Sequence, residues 1–137
     1  ARKWAGLNIN LIQHYTHQKG DVVKNYPRYI EVRNIRGKVL LSPDEILYCV
    51  RNGRKYYIVT GESEYETLYT ISELEEILNP SQFIRVNRSA LVKIKEIDHY
   101  AFWEHNKYII KLKSGNEFVM SRQRWKKIRH RLVRKND

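Results

Sequence analysis

Between Phe83 and Lys93 the chain carries Arg85, Asn87, Arg88 and Ser89. These are guanidinium, amide and hydroxyl groups that can bond phosphate oxygens or base edges. The segment begins and ends with the apolar residues of a buried strand, so the polar groups read as a bend and not as a recognition helix. Val119-Met120-Ser121-Arg122 repeats the order: apolar strand end, hydroxyl, guanidinium. A third bend, Arg51-Asn52-Gly53-Arg54-Lys55-Tyr56-Tyr57, joins two strand-like runs, and Asn-Gly is a strong hairpin signal. Arg can read guanine and Asn adenine in a major groove. Each bend alone reads equally well as a polar turn between core strands. Together they point to loops that grip nucleic acid.

The charge supports this. The chain has 137 residues and a formal net charge of +11. A field of that sign favours polyanions: DNA, RNA or an anionic membrane surface. Ser121 is a good N-cap for a last helix bearing Arg122, Arg124, Lys126, Lys127, Arg129, Arg131, Arg134 and Lys135, with no acid before Asp137. A solvated helix normally mixes signs. Here an anionic partner would relieve the repulsion, and Arg122 sits where free backbone N–H groups also favour phosphate. Residues 134–137 read as a disordered tail.

Short strands must position these bends. Residues 29–33 and 38–41 flank a turn, and 46–50 and 56–60 flank the Arg51–Arg54 bend. Residues 64–69 alternate Tyr65, Thr67 and Tyr69 on one face. Thr70 or Ser72 caps a short helix with Ile71, Leu74, Ile77 and Leu78 inward and Glu73, Glu75 and Glu76 outward; Pro80 ends it. Strands follow over 91–94, 97–103, 108–112 and 117–120. Trp125, Ile128 and Leu132 form the apolar stripe of the last helix. Upstream, Trp4, Leu7, Leu11, Ile12 and Tyr15 fall near helical spacing and Gly20 can stop the run. Residues 1–28 thus read as an amphipathic helix and connector, and 29–137 as a mostly β domain of antiparallel sheets. Arg2, Lys3 and Trp4 could mark the end of a membrane segment beyond this sequence.

Catalytic readings fare badly. Ser89 and Ser121 lack a base partner in sequence. Cys49, between Tyr48 and Val50, reads as a packing residue, and a lone cysteine fits a reducing, cytoplasmic compartment. Gly61-Glu62-Ser63 lacks the Lys of a phosphate-binding loop. His14 and His17 could bind metal, but no further ligand has matching spacing. No enzymatic activity and no cofactor are expected.

From about residue 29 to 132 the chain resembles the LytTR family of bacterial DNA-binding domains. The resemblance rests on Ser42-Pro43-Asp44-Glu45-Ile46-Leu47-Tyr48, the helix from Ile71 to Leu78, Phe83-Ile84-Arg85-Val86-Asn87-Arg88-Ser89-Ala90-Leu91-Val92, Ile97-Asp98 and Ser121-Arg122, in that order and spacing. It implies elongated antiparallel β-sheets with little helix: here a short mid-chain helix, a basic C-terminal helix and an added N-terminal one. It implies the output domain of a transcriptional regulator, behind a receiver or membrane domain outside this sequence. It further implies double-stranded DNA as partner, at promoter direct repeats, with two protomers on one duplex and the transcription machinery beyond. The family's groove-entering hairpin loop falls on Arg51, Asn52, Arg54, Lys55 and Tyr56. Arg88 falls at the minor groove or backbone, and Arg122 at a base. Arg85, Asn87, Ser89, Lys93, Lys107, Ser121, Arg124 and Lys126 complete the expected DNA-binding set. Two positions depart from the family: Asn87 replaces the usual His, and Lys93 the usual Asn.

Two other readings stay open on the residues alone. Tyr56, Tyr57, Tyr100, Phe102 and Trp103 could stack single-stranded nucleic acid, although core or strand-face packing is the more economical reading. The N-terminal helix and basic tail could attach to an anionic membrane surface.

Overall fold

The computed structural model describes residues 16–18, 21–23 and 25–133. The helix expected over residues 1–20 lies outside the described residues as far as residue 15, as do Arg2, Lys3 and Trp4 and the tail at 134–137. At residues 16–18 and 21–23 the backbone is extended: strand β1 (Thr16–Gln18) pairs antiparallel with β2 (Asp21–Val23), where a helix end and a connector were expected. Thr16, Val22 and Val23 are β-branched, which favours this outcome.

The main sheet is built from hairpins. Strands β3 (Ile30–Asn34) and β4 (Gly37–Leu41) pair around a turn where the Asn34 carboxamide accepts the Arg36 N–H at 2.8 Å. A 3-10 turn at Pro43–Glu45 follows, fixed by a Ser42–Glu45 capping box. Next come β5 (Ile46–Asn52), β6 (Lys55–Thr60) and β7 (Glu64–Thr67). Helix α1 (Ile71–Ile77) is capped by Thr70, whose hydroxyl accepts the Glu73 N–H while the Glu73 carboxylate accepts the Thr70 N–H. Outward-facing Glu73 is thus half of this cap. Then β8 (Phe83–Asn87) and β9 (Ala90–Lys93) form a hairpin. The order across the sheet is β4-β3-β7-β6-β5-β9-β8, antiparallel throughout.

A second, three-stranded sheet contains β10 (Ile97–Trp103), β11 (Lys107–Leu112) and β12 (Glu117–Ser121) in that order. Helix α2 (Arg122–Leu132) follows directly.

The strand period of two feeds two cores. Cys49, Leu91 and Phe83 pack on one face of the main sheet with Ile71, Leu74, Ile77 and Leu78 of α1. Tyr48, Ile84, Val86 and Val92 pack on the other face against Ile110, Leu112 and Met120 and against Trp125 and Ile128 of α2. Covering both faces explains why Ala90-Leu91-Val92 is an unbroken apolar run. Burial pushes the Cys49 thiol up, far from a reactive thiolate.

The outer sheet is less covered than expected. Tyr100 packs on Trp125 with centroids 4.2 Å apart and rings tilted by 38°, and Phe102 meets Tyr108 edge-on, yet Tyr100, Phe102 and Trp103 all stay exposed. Strand β10 is an edge of its sheet, with no hydrogen-bonded strand beyond it among the described residues.

Candidate nucleic-acid interface

The prong between β5 and β6 follows from their register. β5 pairs with β9 only as far as Val50↔Ala90, and β6 with β7 only from Tyr56↔Thr67. Asn52↔Lys55 still pair across the hairpin. The hairpin therefore runs past β9 by two residues and past β7 by one before its turn, about 3–7 Å. Its turn is Gly53-Arg54, and Gly53 sits at φ 66, where a side chain would be strained. The Arg51 Nε donates to the Gly53 carbonyl at 2.9 Å, stiffening the tip from inside. Arg51, Asn52, Arg54 and Lys55 are exposed; Lys55 reaches Glu66 at 3.9 Å. Tyr56 packs instead against the core beneath the prong.

The β8–β9 turn lies beside it. The Arg51 N–H donates to the Ser89 carbonyl at 2.9 Å, and Arg88 and Ser89 are exposed. The Asn87 carboxamide accepts the Ser89 N–H at 2.8 Å and donates to the Val119 carbonyl at 2.8 Å. That second bond reaches β12, two residues before Ser121. There the Ser121 hydroxyl accepts the Arg124 N–H at 3.1 Å and caps α2, as its position implied. The Arg122 N–H donates to the Asn106 carbonyl at 3.1 Å, joining the β10–β11 turn. A chain of hydrogen bonds thus links four bends along one rim. Arg54, Arg88 and Arg122 stand at three of these bends. Lys107 pairs with Ser121 in register and is exposed on the same rim; Lys126 is exposed on the second turn of α2.

Other residues of the expected set turn inward. Lys93 is a correction. It is only 3% exposed, and its Nζ donates to the Pro43 and Asp44 carbonyls at 2.8 Å each, at the far end of β9 from the rim. Burial, with the neighbouring Lys95 cation next in effect, holds its ammonium below the usual lysine range. It holds the 3-10 turn and cannot reach a duplex at the rim. Arg85 is also engaged. Its fork donates to the Ser72 hydroxyl at 2.9 Å, the Glu75 carboxylate at 3.2 Å and the Asn87 and Arg88 carbonyls at 3.2 and 2.6 Å. Glu75 is therefore an ion-pair partner and not merely a solvated acid. The Arg124 Nε donates to the Arg85 carbonyl at 2.8 Å, and Arg131 bonds the carbonyls of Pro80 and Phe83. Main-chain carbonyls thus satisfy part of the acid-free helix.

The sequence marks Glu104-His105-Asn106 as a turn but gives it no part in the site; the fold sets this β10–β11 turn on the rim. His105 and Asn106 both adopt left-handed backbone, at φ 63 and 61, without being glycine. Asn tolerates that region better than most residues, which was the available signal. The Asn106 carboxamide oxygen lies 3.5 Å from an Arg122 Nη.

A groove of about 570 Å³ opens where these parts meet, lined by Glu75, Arg85, Asn87, Arg88, Ser121 and Arg124 among others. Among the described residues no cluster of His, Cys, Asp and Glu could hold a metal ion, and no helix is long and apolar enough to cross a membrane.

A family model described as the LytTr DNA-binding domain matches residues 36–133. The chain belongs to the LytTR family. Among curated relatives, it is 22% identical to the transcriptional regulatory protein NatR of Bacillus subtilis, over 70% of this chain and 46% of NatR. It is 29% identical to the transcriptional regulatory protein YpdB of Escherichia coli, over 67% of this chain and 38% of YpdB. It is 32% identical to the transcriptional regulatory protein LytR of Staphylococcus aureus over 47% of this chain. The chain spans less than half the length of these relatives. A LytTr DNA-binding domain of known structure, from a Bacillus cereus protein described as a methyl-accepting/DNA response regulator, superposes with a TM-score of 0.71 at 20% identity. The superposition covers 77% of this chain and 97% of that domain, and it establishes the shared LytTR fold.

Proposed function

We propose that this LytTR domain binds duplex DNA sequence-specifically, at promoter repeats, as the output domain of a bacterial transcriptional regulator. The observation that carries the reading is the rim. Three guanidinium-bearing bends lie along one end of the molecule, tied by main-chain and amide hydrogen bonds. The prong has the dimensions of a two-stranded ribbon, which a major groove of about 12 Å width admits. Arg54 and Asn52 would enter one groove, Arg122 the next, and Arg88 the minor groove or backbone between. Lys107 and Lys126 flank them as phosphate contacts. Two protomers on paired repeats, an upstream receiver or membrane domain, contact with the transcription machinery and a cytoplasmic site of action go with this reading.

Selection of bound duplexes from a random pool tests it. The enriched duplex, labelled for anisotropy, should be displaced by itself far better than by scrambled duplex or by either single strand. Equal displacement by all three competitors refutes sequence-specific duplex binding. Enrichment of one unpaired site removes the repeats and keeps the rest.

A further inference from the structure

Strand β8 ends the seven-stranded sheet, and β12 ends the three-stranded one. These two edges face each other beneath the rim, with Ile84 and Val86 of one and Met120 of the other in a shared core. Yet no main-chain ladder joins them among the described residues. Side chains bridge the seam instead, in both directions. At the end away from the rim Arg131 of α2 bonds the Phe83 carbonyl of β8, and two bridges stand near the rim. Asn87 Nδ2 donates to the Val119 carbonyl at 2.8 Å, and Arg124 Nε donates to the Arg85 carbonyl at 2.8 Å. The bridge stands beside the reading groups: Arg88 follows Asn87, and Arg122 lies three residues beyond Val119.

We propose that Asn87 is a positioning residue whose side-chain amide bridges the two sheets and sets the spacing between the Arg88 turn and the Arg122 bend, and so the spacing of the bases they read. The inference rests on the DNA-binding reading above. A ladder repeats its bonds at every step and resists sliding as a whole. A side-chain bridge fixes one point, and the apolar contacts beneath it are non-directional. Sliding one edge past the other by a single residue moves the bends by ~3.3 Å. That is close to the ~3.4 Å rise of one base step along a DNA strand. A misplacement of this size is the one that would exchange one base-pair spacing for the next. The Asn87 carboxamide commits one N–H to Val119 and accepts from Ser89, which turns it along the seam between Arg88 and Arg122.

The test uses the duplex enriched by the whole chain, with and without one base pair inserted between its two recognised clusters. Asn87→Asp keeps the acceptor for the Ser89 N–H and loses the donor to Val119. Asn87→Ala controls for the added negative charge. For the native chain the insertion should weaken binding at least tenfold. For both variants the penalty should fall below threefold, with the preferred bases inside each cluster unchanged. A penalty that stays tenfold in both variants overturns the bridge. So does a changed base preference at one position, which would make Asn87 a direct contact. If the native chain enriches no duplex, the DNA-binding reading fails and the bridge fails with it; if it does and the penalty persists, the bridge alone fails.

Discussion

Replacing Lys93 separates a structural lysine from a DNA-contacting one. Lys93→Met keeps the length of the stem and removes the ammonium. Two carbonyls, of Pro43 and Asp44, then lose their donors. An acceptor left unsatisfied costs about 1–3 kcal/mol. Asp44 is exposed, so water can reach this corner and the lower end applies, about 2 kcal/mol for the pair. The cation also sits 5.3 Å from the Phe83 ring centroid, worth about 0.5–1 kcal/mol at a partly wet site. Relief of the ammonium's own desolvation offsets part of this. The net loss is about 2 kcal/mol, a fall of roughly 10 °C in Tm for a domain of this size.

The pH dependence has a definite sign. Burial lowers the folded-state pKa of Lys93, so the folded chain releases this proton before the unfolded chain does. Between the two values the unfolded state binds more protons, and stability contributed by this group rises with pH. The gap between native chain and Lys93→Met should therefore widen as alkaline pH approaches the ordinary lysine value. Calorimetric melts across that range measure it, and anisotropy at 25 °C should find DNA affinity within about twofold of native. An unchanged Tm with weakened binding and a shallower salt slope would make Lys93 a phosphate contact and refute the reasoning.

Three further outcomes are expected. Arg122→Ala should cost about 1–3 kcal/mol on the enriched duplex and relax base choice there; equal losses on enriched and random DNA would reduce Arg122 to a phosphate contact. Lys126→Ala should weaken all duplexes alike and lower the slope of log K against log salt by about 0.9, and a loss confined to the enriched duplex would contradict that role. Arg85→Ala should lower Tm, because its fork holds Ser72, Glu75 and two carbonyls of the β8–β9 hairpin; unchanged melting with uniformly weaker DNA binding would return Arg85 to the contact set.

Much of the scaffold was legible because it follows local rules. The Thr70 and Ser121 caps, the hairpin at Gly53 and the α1 face of Ile71, Leu74, Ile77 and Leu78 are each decided within a few residues. The rim was legible as chemistry: Arg54, Arg88 and Arg122 were chosen from residue type and bend position, and they lie along one end. What sequence could not separate was reaching out from reaching in. Arg85, Asn87, Lys93 and Arg124 have the same donors as the exposed rim residues. Their direction is set by carbonyls 2 to 50 positions away, at Asn87, Val119, Pro43 and Arg85. Lys93 was the hardest case, since a lysine ending an apolar run looks like an exposed strand end. Only the approach of the Pro43–Glu45 turn shows what it caps. The aromatics of β10 were legible as strand-face packing, and Tyr100 and Phe102 do pack on Trp125 and Tyr108, but sequence did not show how much of each ring the edge of a small sheet leaves exposed.

Amide chemical-shift mapping of the domain against its enriched duplex tests the central claim most directly. The account predicts shifts concentrated at Arg51–Lys55, Arg88–Ser89 and Arg122, with β3, β4 and Lys93 unmoved. Shifts centred on Tyr100–Trp103, or spread over the β3–β4 edge with the three bends silent, would contradict it.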